Sequence, residues 1–375
     1  MSRTEEQFFT LLQSGLWGSP VDISLFSDDT DWPAILKIAV MQTVSGIVFD
    51  GISRLSSELQ PLTTIMRQLY QTVIRIEQSH ELLNERLTRI IPLLQSEDIY
   101  PILLKGQGVA QNYPNPVRRQ CGDIDLYIGK KDYKRACELA VGRGIVSNDI
   151  LESHKHFHFD WDGVEIEFHH IVEKLPDPFK NKRFQYWTQY HLQKNKLNVW
   201  NLNNTEVLLP SANFDALYIF NHAFHHFISD GIGCRQLCDW VMYLHRFHAQ
   251  IDRQELMKDL KAFGLLRAWQ IFGCIAVHQL GLTKEEFPFY TDKIREVSQK
   301  IILKDILLLG NFGRYDPKWK TRPPGYLSGK LHNFRMKNRR ALKLFSIIGE
   351  NVSLYYIYYL VIGIQQIVND KFNKH

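Results

Sequence analysis

The sequence has few cysteines, and they show no tight pairing along the chain. Five cysteines occur in 375 residues, whereas a small secreted domain held by disulfides usually has more of them and an even number. We therefore expect free thiols and a reducing compartment. Residues 1–6 also lack the apolar region of a secretion signal. Both absences predict a cytoplasmic protein.

Long apolar runs are also missing. The apolar stretch at residues 352–364 is too short to cross a bilayer, which takes about 20 residues, so we expect a buried terminal helix and no transmembrane segment. The stretch before these apolar residues lacks acidic side chains. Nine Lys or Arg and no Asp or Glu lie between Asp316 and Glu350. This basic segment, residues 318–343, predicts either a solvated surface or a surface for an anionic partner, such as RNA or membrane headgroups.

The remaining composition is that of a globular protein. Hydrophobic residues make up 45% and charged residues 23% of the chain, which suits two or three packed units. No internal repeat is evident. We expect an N-terminal helical region at residues 1–100, a core with a connector at residues 101–210, and a C-terminal helical domain at residues 211–375. The predicted fold class is α+β, with a small mixed sheet flanked by the two helical regions.

Local signals predict where helices begin. Residues 31–33, Asp-Trp-Pro, are typical of a helix entry, and from Leu62 apolar residues recur at helical spacing over about nine turns. His80 lies on that stripe, which favours a core position over a ligand role. Another helix is expected near residues 131–141. Ser211 can cap the helix that follows it, and the next helix is expected at residues 234–247.

One stretch, residues 102–128, carries the clearest chemical signal. Its apolar start ends at residues 105–108, Lys-Gly-Gln-Gly, and a turn of helix there can direct backbone N–H groups towards a phosphate. Asp123 and Asp125 follow in an apolar run, so the period of a strand puts both carboxylates on one face. At roughly 6.6 Å they repel by about 2.5 kcal/mol at an effective dielectric constant of about 20. Mg²⁺ would turn that cost into binding, although Asp-x-Asp alone is also typical of a solvated strand edge.

A third carboxylate is expected from a hairpin at residues 154–170. Asp162-Gly163 is a typical two-residue turn, and counting outward from it puts Trp and Phe side chains on one face. The other face then places His158 opposite Glu167. If the hairpin lies in the same sheet as the aspartate pair, Glu167 or Glu165 completes a three-carboxylate, two-metal site.

These motifs resemble those of a known protein fold and family. A strand, Gly-Gln, a helix, Asp-Ile-Asp and an acid on a later strand resemble the nucleotidyltransferase fold of the DNA polymerase β-like superfamily. More narrowly, residues 100–175 resemble the bacterial family 5 nucleotidyltransferases in five motifs: Leu104-Lys105-Gly106, Tyr113-Pro114-Asn115-Pro116, Arg119, Gly122-Asp123-Ile124-Asp125-Leu126 and Glu167-Phe168-His169. The chain departs from the fold's usual pattern by having Gly-Gln in place of Gly-Ser or Gly-Gly, and by a longer spacer before the aspartates.

The resemblance implies transfer of a nucleoside monophosphate from a nucleoside triphosphate, with ATP expected, to a hydroxyl group, with release of pyrophosphate. It implies two Mg²⁺ ions, or Mn²⁺, held by Asp123, Asp125 and Glu167. His158 is a candidate to orient Glu167 or accept a proton, or else an exposed strand imidazole. The acceptor is open among a small molecule, a sugar, a protein and RNA. Nucleotide contacts are expected from Lys105, Gly106, Gln107 and Arg119.

The transfer activity and the phosphate-binding role of Arg119 each have an alternative interpretation. The core could bind nucleotide or metal without transfer, as a regulatory or scaffold module. Arg119 could be a structural counter-charge instead of a phosphate ligand.

The helices after residue 211 offer a further choice. A zinc hydrolase is conceivable, because they contain two i,i+4 pairs of metal-ligand type, His222 with His226 and Cys234 with Cys238. The family resemblance instead favours an ion pair between Arg235 and Asp239, with His222 or His226 facing the cleft.

Overall fold

The computed structural model describes residues 1–146, 151–152, 156–316 and 325–349, together with residues 323, 354, 355, 357 and 361. Most of the apolar stretch 352–364, where a buried terminal helix was expected, lies outside the described residues. Residues 318–322 and 324 of the basic segment lie outside them as well.

Helices occupy both ends of the described chain and strands occupy its middle. The helices are α1 (Arg3–Trp17), α2 (Trp32–Met41), α3 (Ser45–Ile52), α4 (Thr63–Gln95), α5 (Gly106–Ala110), α6 (Gly129–Gly142), α7 (Pro178–His191), α8 (Ala212–Ser229), α9 (Cys234–Phe247), α10 (Arg253–Phe263), α11 (Leu266–Leu280), α12 (Glu296–Leu309) and α13 (Tyr326–Ile348). The strands are β1 (Ile102–Leu104), β2 (Asp123–Tyr127), β3 (Leu151–Glu152), β4 (His156–Trp161), β5 (Val164–His169), β6 (Asn198–Leu202) and β7 (Thr205–Leu209).

The predicted helix starts are confirmed where a side chain caps the first turn. The Asp31 carboxylate accepts a hydrogen bond from the Ala34 backbone N–H at 3.0 Å, and Ser211 Oγ accepts one from the Phe214 N–H at 3.4 Å. These bonds satisfy donors that a helix start leaves unpaired, so α2 and α8 begin where expected. The long helix α4 buries the predicted apolar stripe, and His80 lies among its buried residues.

The seven strands form one mixed sheet in the order β3-β4-β5-β2-β1-β7-β6. β2 is parallel to β5 and β1 is parallel to β7, while the other neighbours are antiparallel. The predicted hairpin is confirmed, because β4 and β5 pair with His158 opposite Glu167. Its turn residues Asp162 and Gly163 have φ angles of 47° and 84°, which Asp-Gly adopts readily. The α+β fold class is therefore confirmed.

The segment between the hairpin and α8 contributes to the same sheet. The sequence predicted a connector here, and the structure shows that this segment forms the antiparallel strand pair β6 and β7. β7 lies next to β1, with Leu208 opposite Ile102. The same segment also contains α7, which packs against α10.

The two faces of the sheet pack against different helices. Alternate residues of the central strands, such as Leu103, Ile124 and Phe168, share a hydrophobic core with α4 and α6. The residues between them project from the opposite face, where Leu104 belongs to the core that includes α8 and α9. Asp125 lies opposite Leu104 on the neighbouring strand. The aspartate pair therefore faces the C-terminal helices.

Helix α13 carries the described part of the basic segment and packs on α8. Three of its cations are paired within the protein: Lys337 with Asp230 at 3.2 Å, and Arg340 and Lys343 with Asp305 at 2.6 and 3.3 Å. In the part of the chain that the structure describes, no single helix is both long and apolar enough to cross a membrane. Helices α10 and α11 reach that length and hydropathy together, as a pair bent by 119°.

Candidate active site

A cleft lies between the polar face of the sheet and the helices α8 and α9. Its lining includes Lys105, Asp123 and Asp125 from the sheet side and His222 and Arg235 from the helices. The lysine and both aspartates that the sequence predicted for the site therefore share one cavity. Because protein surrounds them on two sides, charge interactions here are stronger than at an open surface.

Asp125 and Glu167 lie side by side on the parallel strands β2 and β5. His169 bridges them, with its Nε2 2.8 Å from Asp125 Oδ1 and 3.2 Å from Glu167 Oε2. One donor atom from each of these three side chains lies within 4.8 Å of the others, which is close enough to share a metal ion. Asp123 lies opposite Glu165, whose side chain is exposed. Of the two predicted third acids, Glu167 is the one beside Asp125.

His169 is a site residue that the sequence analysis placed in a family motif but gave no role in the site. A signal was available, because His169 follows Glu167 by two residues and therefore shares its face of the strand. Burial disfavours the charged ring, but hydrogen bonds to Asp125 and Glu167 outweigh burial and raise the pKa of His169 to about 9. At neutral pH, His169 therefore bridges the two carboxylates as a cation.

Lys105 brings a second positive charge to Asp125. Its Nζ lies 3.1 Å from Asp125 Oδ2 and 3.2 Å from His222 Nε2. Burial opposes the ammonium charge, but attraction to Asp125 holds the pKa of Lys105 above its usual value. An ammonium group can only donate, so His222 Nε2 accepts and the ring proton lies on Nδ1, which is 3.7 Å from Glu173 Oε2. Burial and the charge of Lys105 lower the pKa of His222 to about 4, consistent with this neutral tautomer.

The pKa values of Asp123 and Asp125 are shifted in opposite directions. Repulsion from Asp125, together with burial, raises the pKa of Asp123 to about 6, although Lys105 and Arg235 oppose this shift. Burial also acts against ionised Asp125, but Lys105 and His169 hold the pKa of Asp125 well below its usual range. Neighbouring acids with pKa values pushed apart are typical of functional sites.

Arg119 forms a buried ion pair with Asp239. Its Nε and Nη2 donate to Asp239 Oδ1 and Oδ2 at 2.6 and 2.8 Å, and Tyr113 Oη donates to the same Oδ1 at 2.7 Å. This corrects the predicted ion pair between Arg235 and Asp239. A bidentate guanidinium from the loop before β2 is a stronger partner than an i,i+4 neighbour, and Arg235 Nη1 instead donates to the Gln120 carbonyl at 3.4 Å.

Three of the four residues predicted to contact nucleotide, Lys105, Gly106 and Arg119, line the cleft. Gln107 does not, because it is 1% exposed and its Nε2 donates to the His80 carbonyl of α4 at 3.4 Å. The side chain of Gln107 therefore points away from the cleft. The Nε and Nη2 atoms of Arg119 both donate to Asp239, which supports the interpretation of Arg119 as a structural counter-charge. Arg235 lines the cleft, and its buried Nε has no hydrogen-bond partner.

Three predicted histidines lie near the carboxylates or the cleft. His158 Nδ1 is 3.4 Å from Glu167 Oε1, as the hairpin register predicted. His222 faces the cleft. The ring of His226 lies edge-on to those of His222 and Phe312, with centroid distances of 4.5 and 4.9 Å.

Comparison with known proteins identifies the family of the chain. The sequence profile of a family described as uncharacterised nucleotidyltransferase matches residues 28–281. The chain belongs to this nucleotidyltransferase family. The match runs from α2 to α11, well beyond the motifs that carried the resemblance. Among solved structures, the chain is similar to an antigenic nucleotidyltransferase-like protein from Paracoccidioides brasiliensis, at 16% identity and a TM-score of 0.31, with 50% of this chain and 88% of that chain covered. No curated protein matches.

The zinc interpretation is not supported for Cys234 and Cys238. Both thiols are buried, and burial raises the pKa of each, whereas zinc binds thiolates. Among the described residues, the groups close enough to share an ion contain carboxylates and histidines and neither of these cysteines.

Oxygen ligands of the kind that Mg²⁺ prefers are present at the end of the cleft. Asp125 and Glu167 offer carboxylate oxygens on neighbouring strands, with Asp123 two residues away on the same face. In the structure these acids contact the positive charges of Lys105 and His169. The carboxylate oxygens at this position are of the type that fits a divalent ion.

Proposed function

We propose that the protein transfers a nucleoside monophosphate from a nucleoside triphosphate, with ATP as the expected donor, to a hydroxyl group of an acceptor, and releases pyrophosphate. The observation that supports this is the convergence of Asp125, Glu167 and His169 within 4.8 Å, next to Asp123 and beside a cleft. In this proposal Asp123, Asp125 and Glu167 hold two Mg²⁺ ions, or Mn²⁺.

The remaining chemistry falls to the chain's own groups. Bound Mg²⁺ supplies charge neutralisation and a lower pKa for the attacking hydroxyl. Arg235 and Lys105 provide positive charge to the phosphates from opposite walls of the cleft, and backbone N–H groups after Gly106 add hydrogen bonds. The acceptor oxygen forms a bond to the α-phosphorus while the bond to the β-phosphate oxygen breaks. His158, 3.4 Å from Glu167, takes the hydroxyl proton and passes it to solvent.

The proposal extends to partners and location. The acceptor classes are small molecules, sugars, proteins and RNA ends, which the test below separates. An anionic partner at the basic segment 318–343 is less favoured, because Lys337, Arg340 and Lys343 already pair with acids of the same chain. No disulfide joins any of the five cysteines, which supports a reducing compartment such as the cytoplasm.

The direct test is transfer from ATP labelled at the α-phosphate, in the presence of Mg²⁺. Protein, RNA and small-molecule fractions of a cell extract serve as three acceptor pools. We expect pyrophosphate release and label in one pool, and loss of both in the variant Asp123→Asn/Asp125→Asn. Glu138→Gln, which removes an exposed acid on α6, is the matched control and should behave as wild type. Unchanged transfer by the double variant would rule out the proposed mechanism.

A second candidate is a module that binds nucleotide or metal without transfer. Lys105 and His169 favour it, because they already neutralise Asp125 and Glu167 and make these acids stable without a bound ion. Calorimetry with a non-hydrolysable triphosphate, with and without Mg²⁺, distinguishes the two. Mg²⁺-dependent binding without pyrophosphate release in any pool would favour the binding module.

A further inference from the structure

A second group of metal-ligand side chains lies outside the cleft, where α7 meets α10. His191 is the last residue of α7, and Glu255 and Asp259 lie one turn apart on α10. One donor atom from each of the three lies within 4.8 Å of the others. None of the three is among the residues that line the cleft, so the nucleotidyltransferase site does not account for the group.

Each of these side chains is also held by a polar neighbour. Ser211 Oγ lies 3.4 Å from His191 Nδ1. Asn213 Nδ2 donates to Glu255 Oε2 at 2.9 Å. Contacts of this kind orient the ligands of metal sites and leave the other polar atom of each side chain available. The third such contact is from Trp187 Nε1 to Asp259 Oδ2 at 2.8 Å.

The ring of His191 provides the second, independent observation. The residue is 4% exposed, yet its buried Nε2 has no hydrogen-bond partner. That atom faces Glu255 Oε1 at 3.7 Å, which is beyond hydrogen-bond length. Buried polar atoms in folded proteins nearly always have a partner, so an exception that faces two carboxylates indicates a missing ligand.

The charges of the group suit a cation. Burial, with a contribution from Lys196, lowers the pKa of His191 to about 4, so the ring is in the neutral form that binds metals. Burial raises the pKa of Glu255 and Asp259, as expected for acids that lack a close counter-charge. The nearby cations are Lys196, Lys258 and Arg183. The Glu255 side chain is 37% exposed, which leaves an entry path.

We propose that His191, Glu255 and Asp259 bind one Zn²⁺ ion that fastens α7 to α10. The imidazole nitrogen and the two carboxylate oxygens are ligand types that Zn²⁺ takes in proteins, and a water molecule completes the four-coordinate shell. α7 follows the hairpin that carries Glu167, and α10 belongs to the C-terminal helices. The ion therefore joins the helix after the catalytic strands to the helical domain.

The test is zinc binding to chelator-treated protein, measured by calorimetry and by metal analysis after gel filtration. Glu167→Gln serves as the background, because it removes a carboxylate from the other group of described residues that could hold an ion. We expect one zinc ion per chain in this background and a loss of at least tenfold in affinity on adding His191→Asn or Asp259→Asn. His245→Asn, which removes an exposed histidine paired with Glu286, is the matched control.

A second variant and a second probe keep the test decisive. Glu255→Gln changes a partly exposed side chain and should fold even where substitution of a buried ligand does not. It should also weaken zinc binding at least tenfold. Co²⁺ should give visible absorption bands in the background protein that disappear with His191→Asn. No zinc in the background protein, or equal affinity after Glu255→Gln, would overturn the proposal.

Discussion

Lys105 Nζ lies 3.1 Å from one carboxylate oxygen of Asp125, and His169 lies 2.8 Å from the other. Asp125 is only 3% exposed, so two cations hold an acid that burial alone would protonate. A buried charge persists when partners of opposite sign compensate for lost hydration. The charge of Asp125 is therefore compensated by side chains of the same chain.

Asp125→Asn is expected to destabilise the fold as well as to abolish transfer. It leaves Lys105 as a buried cation without its carboxylate and leaves His169 with Glu167 alone, at a cost of about 3–5 kcal/mol in the free energy of unfolding. Asp123→Asn should abolish transfer with a smaller loss of stability, because repulsion from Asp125 already opposes its charge. Urea denaturation measures both variants.

A suppressor checks the cause of that loss. Asp125→Asn/Lys105→Met removes the stranded ammonium group together with its partner and should recover part of the lost stability. Equal free energies of unfolding for Asp123→Asn and Asp125→Asn would show that the cations do not depend on Asp125.

Arg119 and Arg235 are expected to have different roles. Arg119→Lys breaks the bidentate pair with Asp239, in which the arginine side chain is 2% exposed. It should therefore lower the free energy of unfolding by about 3 kcal/mol. Arg235→Lys keeps the charge but loses the planar group, and it should weaken nucleotide binding with little change in stability. Chemical denaturation and calorimetry with a non-hydrolysable triphosphate separate the two effects. Weaker nucleotide binding by Arg119→Lys at unchanged stability would show that Arg119 contacts phosphate.

Glu167 and Glu165 provide a matched pair on one strand. Glu167 contacts His169 and His158, whereas Glu165 is exposed beside Asp123. We expect Glu167→Gln to reduce the turnover number at least 100-fold, which corresponds to about 2.7 kcal/mol, and Glu165→Gln to stay within a few-fold of wild type. Steady-state pyrophosphate release measures both. The reverse order would move the third acid to Glu165.

Much of this site could be predicted because its signals are local. Asp162-Gly163 fixes the hairpin register, and a strand's period of two then decides that His158 and Glu167 share a face. The same period puts Asp123 and Asp125 together. Because these residues lie on neighbouring strands, the local sequence pattern predicts most of their arrangement.

The remaining contacts join residues that are distant in sequence. Arg119 and Asp239 are 120 positions apart, and sequence spacing instead suggested the neighbour Arg235. Lys105 meets His222 across 117 positions. No short-range pattern encodes such pairs, because they depend on how the C-terminal helices dock on the sheet. The direction of Gln107 depends in the same way on packing against α4.

His80 is expected to make the protein less stable in mild acid. Burial and the charge of Arg119 lower the pKa of His80 from about 6.5 to about 4. A depressed pKa means that the stability is present above the unfolded-state pKa of about 6.5 and is lost as the pH falls towards 4. Between pH 7 and 5 the loss should be roughly 1–2 kcal/mol in the free energy of unfolding.

Substitution of His80 checks this assignment. His80→Leu replaces the titrating ring with an apolar side chain on the buried stripe of α4. It should reduce the difference in the free energy of unfolding between pH 7 and pH 5. His245→Gln, at an exposed position, should leave that difference unchanged. Identical pH profiles for His80→Leu and wild type, from urea denaturation, would contradict the buried neutral state of His80.

The central claim is that Asp123, Asp125 and Glu167 hold divalent ions against a nucleotide in the cleft. A crystal structure with Mn²⁺ and a non-hydrolysable ATP analogue tests it most directly, because Mn²⁺ is identified by its anomalous signal. We predict one ion bonded to Asp123 and Asp125, a second bonded to Asp125 and Glu167, and the phosphates facing Lys105 and Arg235. Nucleotide bound outside this cleft, or no ion beside Asp125 at saturating Mn²⁺, would contradict the account.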